Sequence, residues 1–438
     1  MSTSKKTVCV IGLWHLGLVN AVGFAEKGYN VVGLEFDSGA SERIQKGILP
    51  LFEPGLQELV EKHIKAGFLS FTSDVSIVQK ADYVVIAYDS PVNDQDEVDI
   101  SPVVKAADRI SSFLKSTTPV IITSQIPVGS SEMIQKSIQK KNLKWKSGVI
   151  YTPENLRLGK AIELFLQPDM LVLGTSYETV RKQALALYAP FETKKFTLDL
   201  KSAEMVKHAI NVYLATCITF SNEIANLASR LGADAKEVGQ VLKADKRIGS
   251  APVLPGLGFS GGTLARDVKQ LLKFSKEYEY DAPLLKSIIK INEGSFDEVI
   301  QNTKKVLKKL EGKTIGILGL TYKPGTSTLR RSPSLKIIQK LLKEKSKCIA
   351  YDPKANLTEV PGYEKLFTVI TDYHKLFEQS DAVILVTEWP EFREFDFKKL
   401  SKKMRKPILI DSKNFLDMKA LVETGFQYIG YGREEIIK

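Results

Sequence analysis

Continuous apolar runs, each separated from the next by a helical segment, constrain this 438-residue chain more than any other feature. TVCVIGL (7–13), NVVGLEF (30–36), YVVIAY (83–88), PVIITS (119–124), GVIYT (148–152) and MLVLGT (170–175) are the runs of the first part. Strands that are apolar throughout, rather than on alternate residues, belong to a parallel sheet covered on both faces. The middle of the chain changes character. Residues 201–231, KSAEMVKHAINVYLATCITFSNEIANLASRL, contain no Pro or Gly and repeat apolar residues at helical spacing. KTIGILGL (313–320), KCIAYD (347–352), AVILVTE (382–388) and PILID (407–411) then form a second series. The expectation is an α/β chain of two parallel-sheet domains joined by a long central helix, divided as 1–197, 198–302 and 303–438.

Composition removes several function classes. The three cysteines, Cys9, Cys217 and Cys348, form no CxxC pair, which argues against a disulfide framework or a thiolate metal cluster. Four histidines show no metal-binding spacing. A net charge of +11 is spread as lysine pairs along amphipathic segments, without a zinc-finger, RNP or basic-region signature. A small phosphorylated ligand therefore explains the charge better than nucleic acid. No apolar run reaches the roughly 18 residues of a membrane span, and the N-terminus enters a strand pattern directly. The expectation is a cytoplasmic protein without membrane or nucleic-acid partners.

The first strand runs into Gly12-Leu13-Trp14-His15-Leu16-Gly17 and then a helix. This is the context of a Rossmann dinucleotide fingerprint and makes the sheet domains Rossmann-like in expectation. Glu35 closes the second strand, where a carboxylate accepts hydrogen bonds from the adenosine ribose and selects NAD over NADP. The middle glycine, which lets backbone approach the pyrophosphate, is replaced by Trp14. The competing reading is a tight turn without ligand, with Trp14 packed on a neighbour.

Further motifs follow in order. They are Leu51-Phe52-Glu53-Pro54-Gly55-Leu56, Ile126-Pro127-Val128-Gly129-Ser130, Pro153-Glu154-Asn155-Leu156 and the Lys207/Asn211 pair. Asp245-Lys246-Arg247-Ile248-Gly249 leads to Gly256-Leu257-Gly258-Phe259-Ser260-Gly261-Gly262. The C-terminal part adds Gly319-Leu320-Thr321-Tyr322-Lys323-Pro324, Arg330, Ser332-Pro333 and Tyr351-Asp352-Pro353. Together, over nearly the whole chain, these resemble the UDP-glucose/GDP-mannose dehydrogenase family. The resemblance implies an N-terminal NAD domain, a long-helix dimerisation segment and a C-terminal domain for the nucleotide diphosphate, a UDP-sugar first among them. It also implies oxidation of a sugar C6 alcohol to a carboxylate with two NAD, through a cysteine thiohemiacetal and thioester.

Carried over position by position, Glu154 matches the glutamate that helps activate water, and Lys207 and Asn211 match the groups that stabilise a developing oxyanion. Lys207 and Asn211 are four apart and share a helix face, and Asp267 matches their carboxylate partner. Arg247 matches an arginine that reaches the neighbouring subunit's sugar-nucleotide site. Leu156, Gly256, Phe259 and Gly261 match substrate-side positions on loops, the last three in a flexible glycine-rich loop with amides to line the substrate and Phe259 over it. Lys323 and Arg330 match diphosphate- and cofactor-side cations.

The pattern fails at the nucleophile. Two residues past the start of the Gly261-Gly262 pair, where the family has cysteine, stands Thr263. Its hydroxyl lacks an accessible pKa and would form an ester rather than a thioester; as a structural residue it suits the N-cap of the helix that follows. Arg266 replaces a lysine, Gln125 a cofactor-side threonine and Lys413 a substrate-side arginine. Ala87-Tyr88-Asp89-Ser90-Pro91 replaces a small Val-Gly-Thr-Pro-like loop, so that Asp89 places negative charge near the NAD pyrophosphate. The leading reading is a NAD-dependent nucleotide-sugar oxidoreductase without thioester catalysis. Its competitors are an epimerase with retained NAD and a non-catalytic nucleotide-sugar-binding homologue.

Overall fold

Strands whose residues are buried on both faces organise the molecule. The computed structural model describes residues 5–90, 98–153, 156–260 and 262–433. It divides into two compact units, Met1–Ala209 and Ile210–Lys438. Unit 1 holds β1 (Thr7–Ile11), β2 (Asn30–Leu34), β3 (Leu69–Thr72), β4 (Tyr83–Ile86), β5 (Val120–Ile122), β6 (Val149–Tyr151), β7 (Met170–Thr175) and β8 (Lys194–Leu198). They form one sheet in the order β3-β2-β1-β4-β5-β6-β7-β8. Unit 2 holds β9 (Thr314–Leu318), β10 (Lys347–Tyr351), β11 (Thr368–Val369), β12 (Ala382–Leu385), β13 (Ile408–Asp411) and β14 (Gln427–Gly430), ordered β11-β10-β9-β12-β13-β14.

Successive residues of β1 face opposite cores. Val8 and Val10 pack with Val85, Ile121 and Ile150, whereas Cys9 and Ile11 pack with Val84, Ile86, Val120 and Ile122. Each such side chain contributes about 1.5–3 kcal/mol of burial, which is why these strands read as unbroken apolar runs. The same division holds in unit 2, with Ile315, Ile317 and Ile384 on one face and Leu318, Val383 and Leu385 on the other.

Two features depart from the sequence expectation. β7 pairs antiparallel with β6, while all other neighbours are parallel. The connection between them carries only the six-residue helix Ala161–Leu166, so the chain re-enters the sheet from the end it left. β3, β8, β11 and β14 were not among the apolar runs. All four are edge strands, which need less apolar surface than central ones.

In both sheets the strand order reverses beside the first strand, between β1 and β4 and between β9 and β12, where ligands bind in folds of this kind. Gly12 (φ +89°) and Gly319 (φ +91°) make the turn leaving that strand. The helix Leu200–Arg230 has 31 residues, close to the expected 201–231, and carries the chain from unit 1 into unit 2.

Candidate active site

In unit 1 the turn after β1 is shaped for a dinucleotide in several respects. A Cβ on Gly17 would lie 1.7 Å from the Gly12 carbonyl oxygen, so only glycine lets the helix His15–Glu26 start this close to the strand. Glu35 reaches the same turn: its Oε2 accepts from Leu13 N at 2.9 Å and its Oε1 from Phe36 N at 2.8 Å. The Glu35 carboxylate is only half-buried, and so stands where ribose hydroxyls can reach it. Leu16 N, at the first turn of the helix, donates to Asp89 Oδ2 at 3.3 Å. Burial pushes the Asp89 carboxyl above its ordinary range, against the opposing pull of the Leu16 amide and His15. Trp14 is 56% exposed. Gln125 is buried past the end of β5, and its carbonyl accepts from Ser90 Oγ at 2.6 Å.

Glu154 and Gly261 lie outside the described residues. Leu156 packs at the edge of the unit 1 core and lines an apolar cavity of about 70 Å³ with Leu16, Asn20, Thr123 and Thr152. Lys207 is buried on the unit 1 stretch of the central helix.

In unit 2, Asn211 donates through Nδ2 to Asp267 Oδ2, and both side chains are buried. Arg266 Nε stands 3.7 Å from the other Asp267 oxygen. Asp267 belongs to the first turn of the helix Leu264–Glu277, which Thr263 opens. Thr263 is exposed, and its side chain makes no capping hydrogen bond. The expected N-cap role is therefore corrected: the backbone (φ −105°, ψ −66°) is close to helical rather than extended, which turns the hydroxyl away from the N–H groups it would cap.

The glycine-rich loop is pinned rather than free. Gly256 N donates to Asn222 Oδ1 (3.1 Å), Leu257 N to Ser412 O (2.6 Å) and Gly258 N to Ser295 Oγ (3.0 Å). Asn292 Nδ2 donates to Phe259 O at 3.1 Å, and the Phe259 ring is buried with Val212, Ala215, Val268 and Ile288. Two expectations change accordingly. These three amides are committed to protein acceptors instead of lining a substrate, and Phe259 is a core residue. The physical reason is that buried N–H groups need partners, and this loop finds them within unit 2.

The candidate cations occupy separate settings. Arg247 is exposed and held by Asp245 on its own loop, with its Nε 3.0 Å from Asp245 Oδ1. Lys323 Nζ lies 5.5 Å from the Tyr322 ring centroid. Lys413 Nζ is 3.6 Å from Glu388, and Arg330 is exposed. Three further residues near these loops were given no individual role by the sequence, Arg331 standing outside every motif and Asp352 and Glu53 within one. Arg331, in the left-handed region (φ +60°), brings Nη1 to 3.0 Å from a Cβ built on Gly262. Asp352 collects Leu320 N, Thr321 N and Trp389 Nε1 on one oxygen at 2.7–3.0 Å. Glu53 accepts from Gly159 N and Ala161 N, both at 2.9 Å, while contacting His15 at 3.0 Å. Only its place in the LFEPGL motif hinted at that role. Among the described residues no cluster of His, Cys, Asp or Glu could hold a metal, and no helix is long and apolar enough to cross a membrane.

Comparison with known proteins adds an independent line. Models of the UDP-glucose/GDP-mannose dehydrogenase family match as the NAD-binding domain at residues 6–192, the central domain at 201–294 and the UDP-binding domain at 316–418. The UDP-glucose 6-dehydrogenase TuaD of Bacillus subtilis is 32% identical over 98% of this chain and 94% of its own. The UDP-glucose 6-dehydrogenase of Pseudomonas aeruginosa is 31% identical over 97% of each. The solved UDP-glucose dehydrogenase of the archaeon Pyrobaculum islandicum superposes with a TM-score of 0.87 at 29% identity, covering 99% of both chains. The UDP-D-ManNAc dehydrogenase of Pyrococcus horikoshii gives 0.84 at 26% identity, over 98% of this chain and 100% of its own. With a dinucleotide turn in one sheet, a second sheet of the same winding and three domain models in order, the chain belongs to the UDP-glucose/GDP-mannose dehydrogenase family of NAD-dependent nucleotide-sugar dehydrogenases.

Proposed function

We propose that this protein is a NAD-dependent oxidoreductase acting on a CH–OH group of a nucleotide-diphosphate sugar, a UDP-hexose first among them, and that it works without thioester catalysis. The observation that carries the second half is the state of the thiols. Cys9 and Cys348 lie in β1 and β10, and burial pushes both thiols up to about 12; Cys217 is buried in the central helix. None follows the glycine-rich loop, where Thr263 stands. The UDP-sugar names of full-length relatives support the substrate class.

NAD, when bound, supplies the hydride acceptor. In unit 1, Gly12, Leu16, Gly17, Glu35 and Gln125 are the residues that would hold it. Lys207 and Asn211 are assigned to stabilising the alkoxide as the alcohol proton leaves, with Asp267 orienting the Asn211 amide. Glu154 is assigned to proton transfer. Lys323, Arg330 and Lys413 are the cations for phosphate oxygens, with Arg247 reaching a second subunit and Leu156, Gly256 and Gly261 shaping the substrate loops. Removal of one hydride to give an aldehyde needs no thiol. A second oxidation would pass through the hydrated aldehyde, with water rather than Thr263 adding to the carbonyl. The proposed division of labour keeps cofactor binding in 1–197, dimerisation in 198–302 and the nucleotide in 303–438.

A homodimer through the central helix belongs to the same reading. Tyr213, Phe220 and Leu227 recur every seven residues and are 59%, 47% and 53% exposed, an apolar stripe that a second copy would cover.

The test is incubation of purified protein with NAD and a panel of UDP- and GDP-sugars, following NADH and identifying products by mass and NMR. One NADH per aldehyde, or two per carboxylate with an unchanged rate in Thr263→Ala, supports the reading. A stereochemical change without NADH would replace it with the epimerase, and no reaction with any sugar would replace it with a binding protein.

A further inference from the structure

The first turn of a helix that follows a glycine turn offers unpaired N–H groups and a positive dipole end, the place where a dinucleotide's phosphates sit. In this chain the protein's own side chains reach that place. Asp89 Oδ2 accepts from Leu16 N at 3.3 Å. The ring of Tyr88 lies against the turn, with Cδ1 2.9 Å from where a Cβ on Gly12 would be. Both residues follow β4, which pairs with β1 across the point where strand order reverses.

The sheet of unit 2 shows the same closure. Thr387 stands two residues past β12, as Tyr88 stands two past β4. Its Cβ and N lie 2.6 and 2.7 Å from a Cβ built on Gly319, the counterpart of Gly12. There the amides of the loop after Gly319, Leu320 N and Thr321 N, are taken by Asp352, which stands past β10 as Glu35 stands past β2. The residue two past the fourth strand thus closes on the turn glycine in both units, and the hold of Asp89 on a first-turn amide of a helix is a feature of unit 1.

We propose that Tyr88 and Asp89 are an internal occupant of the dinucleotide phosphate site, which NAD must displace in order to bind. This rests on the reading that NAD binds at the start of the helix His15–Glu26. A carboxylate and a pyrophosphate cannot share one amide without strong repulsion. Among the described residues, the charged and titratable groups around Asp89 are few. His15 faces it from the helix, backed by Glu53 at 3.0 Å. Glu35, at the end of β2, and Arg109 act on the neighbouring Tyr88 hydroxyl. Burial already raises the affinity of Asp89 for a proton.

NADH binding to the full-length protein, followed by fluorescence titration and calorimetry, tests this with Asp89→Asn, Asp89→Gly, Tyr88→Val and Glu35→Gln variants. Asp89→Asn, nearly isosteric, is expected to bind about tenfold more tightly than wild type, a difference of about 1.4 kcal/mol. Equal affinity in wild type and both Asp89 variants, with Glu35→Gln weaker, overturns the proposal and leaves the cofactor site standing. Weaker binding in Asp89→Asn makes Asp89 a ligand of NAD and overturns it too. No NADH binding by any of these proteins overturns both the proposal and the reading beneath it.

Discussion

At position 263 a hydroxyl stands where the family resemblance leads one to expect a thiol. A thiol can be ionised near neutral pH and leaves an activated acyl group; a hydroxyl does neither. The Thr263 side chain is exposed and uncommitted to capping, which leaves room for a test. Thr263→Cys is expected to raise carboxylate formation by about tenfold or more, measured as NADH released per sugar oxidised. Two of the three native thiols, Cys9 and Cys348, should be silent. With Cys9 and Cys348 pushed up to about 12, only about one in ten thousand is ionised near pH 8. Iodoacetamide is therefore expected to label neither in the native protein, and both after unfolding, as read by peptide mass spectrometry. Asn211→Ala removes both the proposed oxyanion donor and the hydrogen bond to Asp267. It should lower kcat by about 10²–10³ and stability by about 1–3 kcal/mol, seen in steady-state kinetics and urea melts.

At the scale of elements, legibility followed burial. Central strands such as VCVI and AVIL are buried on both faces and announce themselves, as does the unbroken helix Leu200–Arg230. The edge strands LSFT and KKFTL carry polar residues along one face and read as loop. The glycine-rich loop was legible as a motif but misleading as a mechanism. Its flexibility was inferred from composition, whereas Asn222, Ser295, Asn292 and Ser412 hold it from elements far away in sequence. Gly258→Ala would place a Cβ 2.4 Å from Asn292 Oδ1 and 2.5 Å from Ser295 Oγ. That crowding is expected to cost about 1–3 kcal/mol and to raise the KM for the sugar nucleotide more than it lowers kcat, separable in one set of initial-rate measurements.

At the scale of the whole molecule, two sheets with the same winding are linked by one long helix whose exposed stripe invites a second copy. Replacing both Phe220 and Leu227 by Glu is expected to convert a dimer to a monomer in light scattering, while the far-ultraviolet dichroism of the fold is retained; an unchanged mass would sink the dimer assignment. The sequence by itself determined the two series of buried strands, the helix between them, the order of the family motifs and the threonine at position 263. Each of these is written in local composition or in the identity of one residue. Only the tertiary structure decided which backbone amides around the start of the helix His15–Glu26 the Asp89 and Glu35 carboxylates hold. Asp89 is 73 residues from Leu16 and Glu35 is 22 from Leu13. They meet because parallel pairing of β1 with β4 and with β2 brings the ends of those strands together. No local pattern carries that contact, since it depends on strand order, which the whole sheet sets.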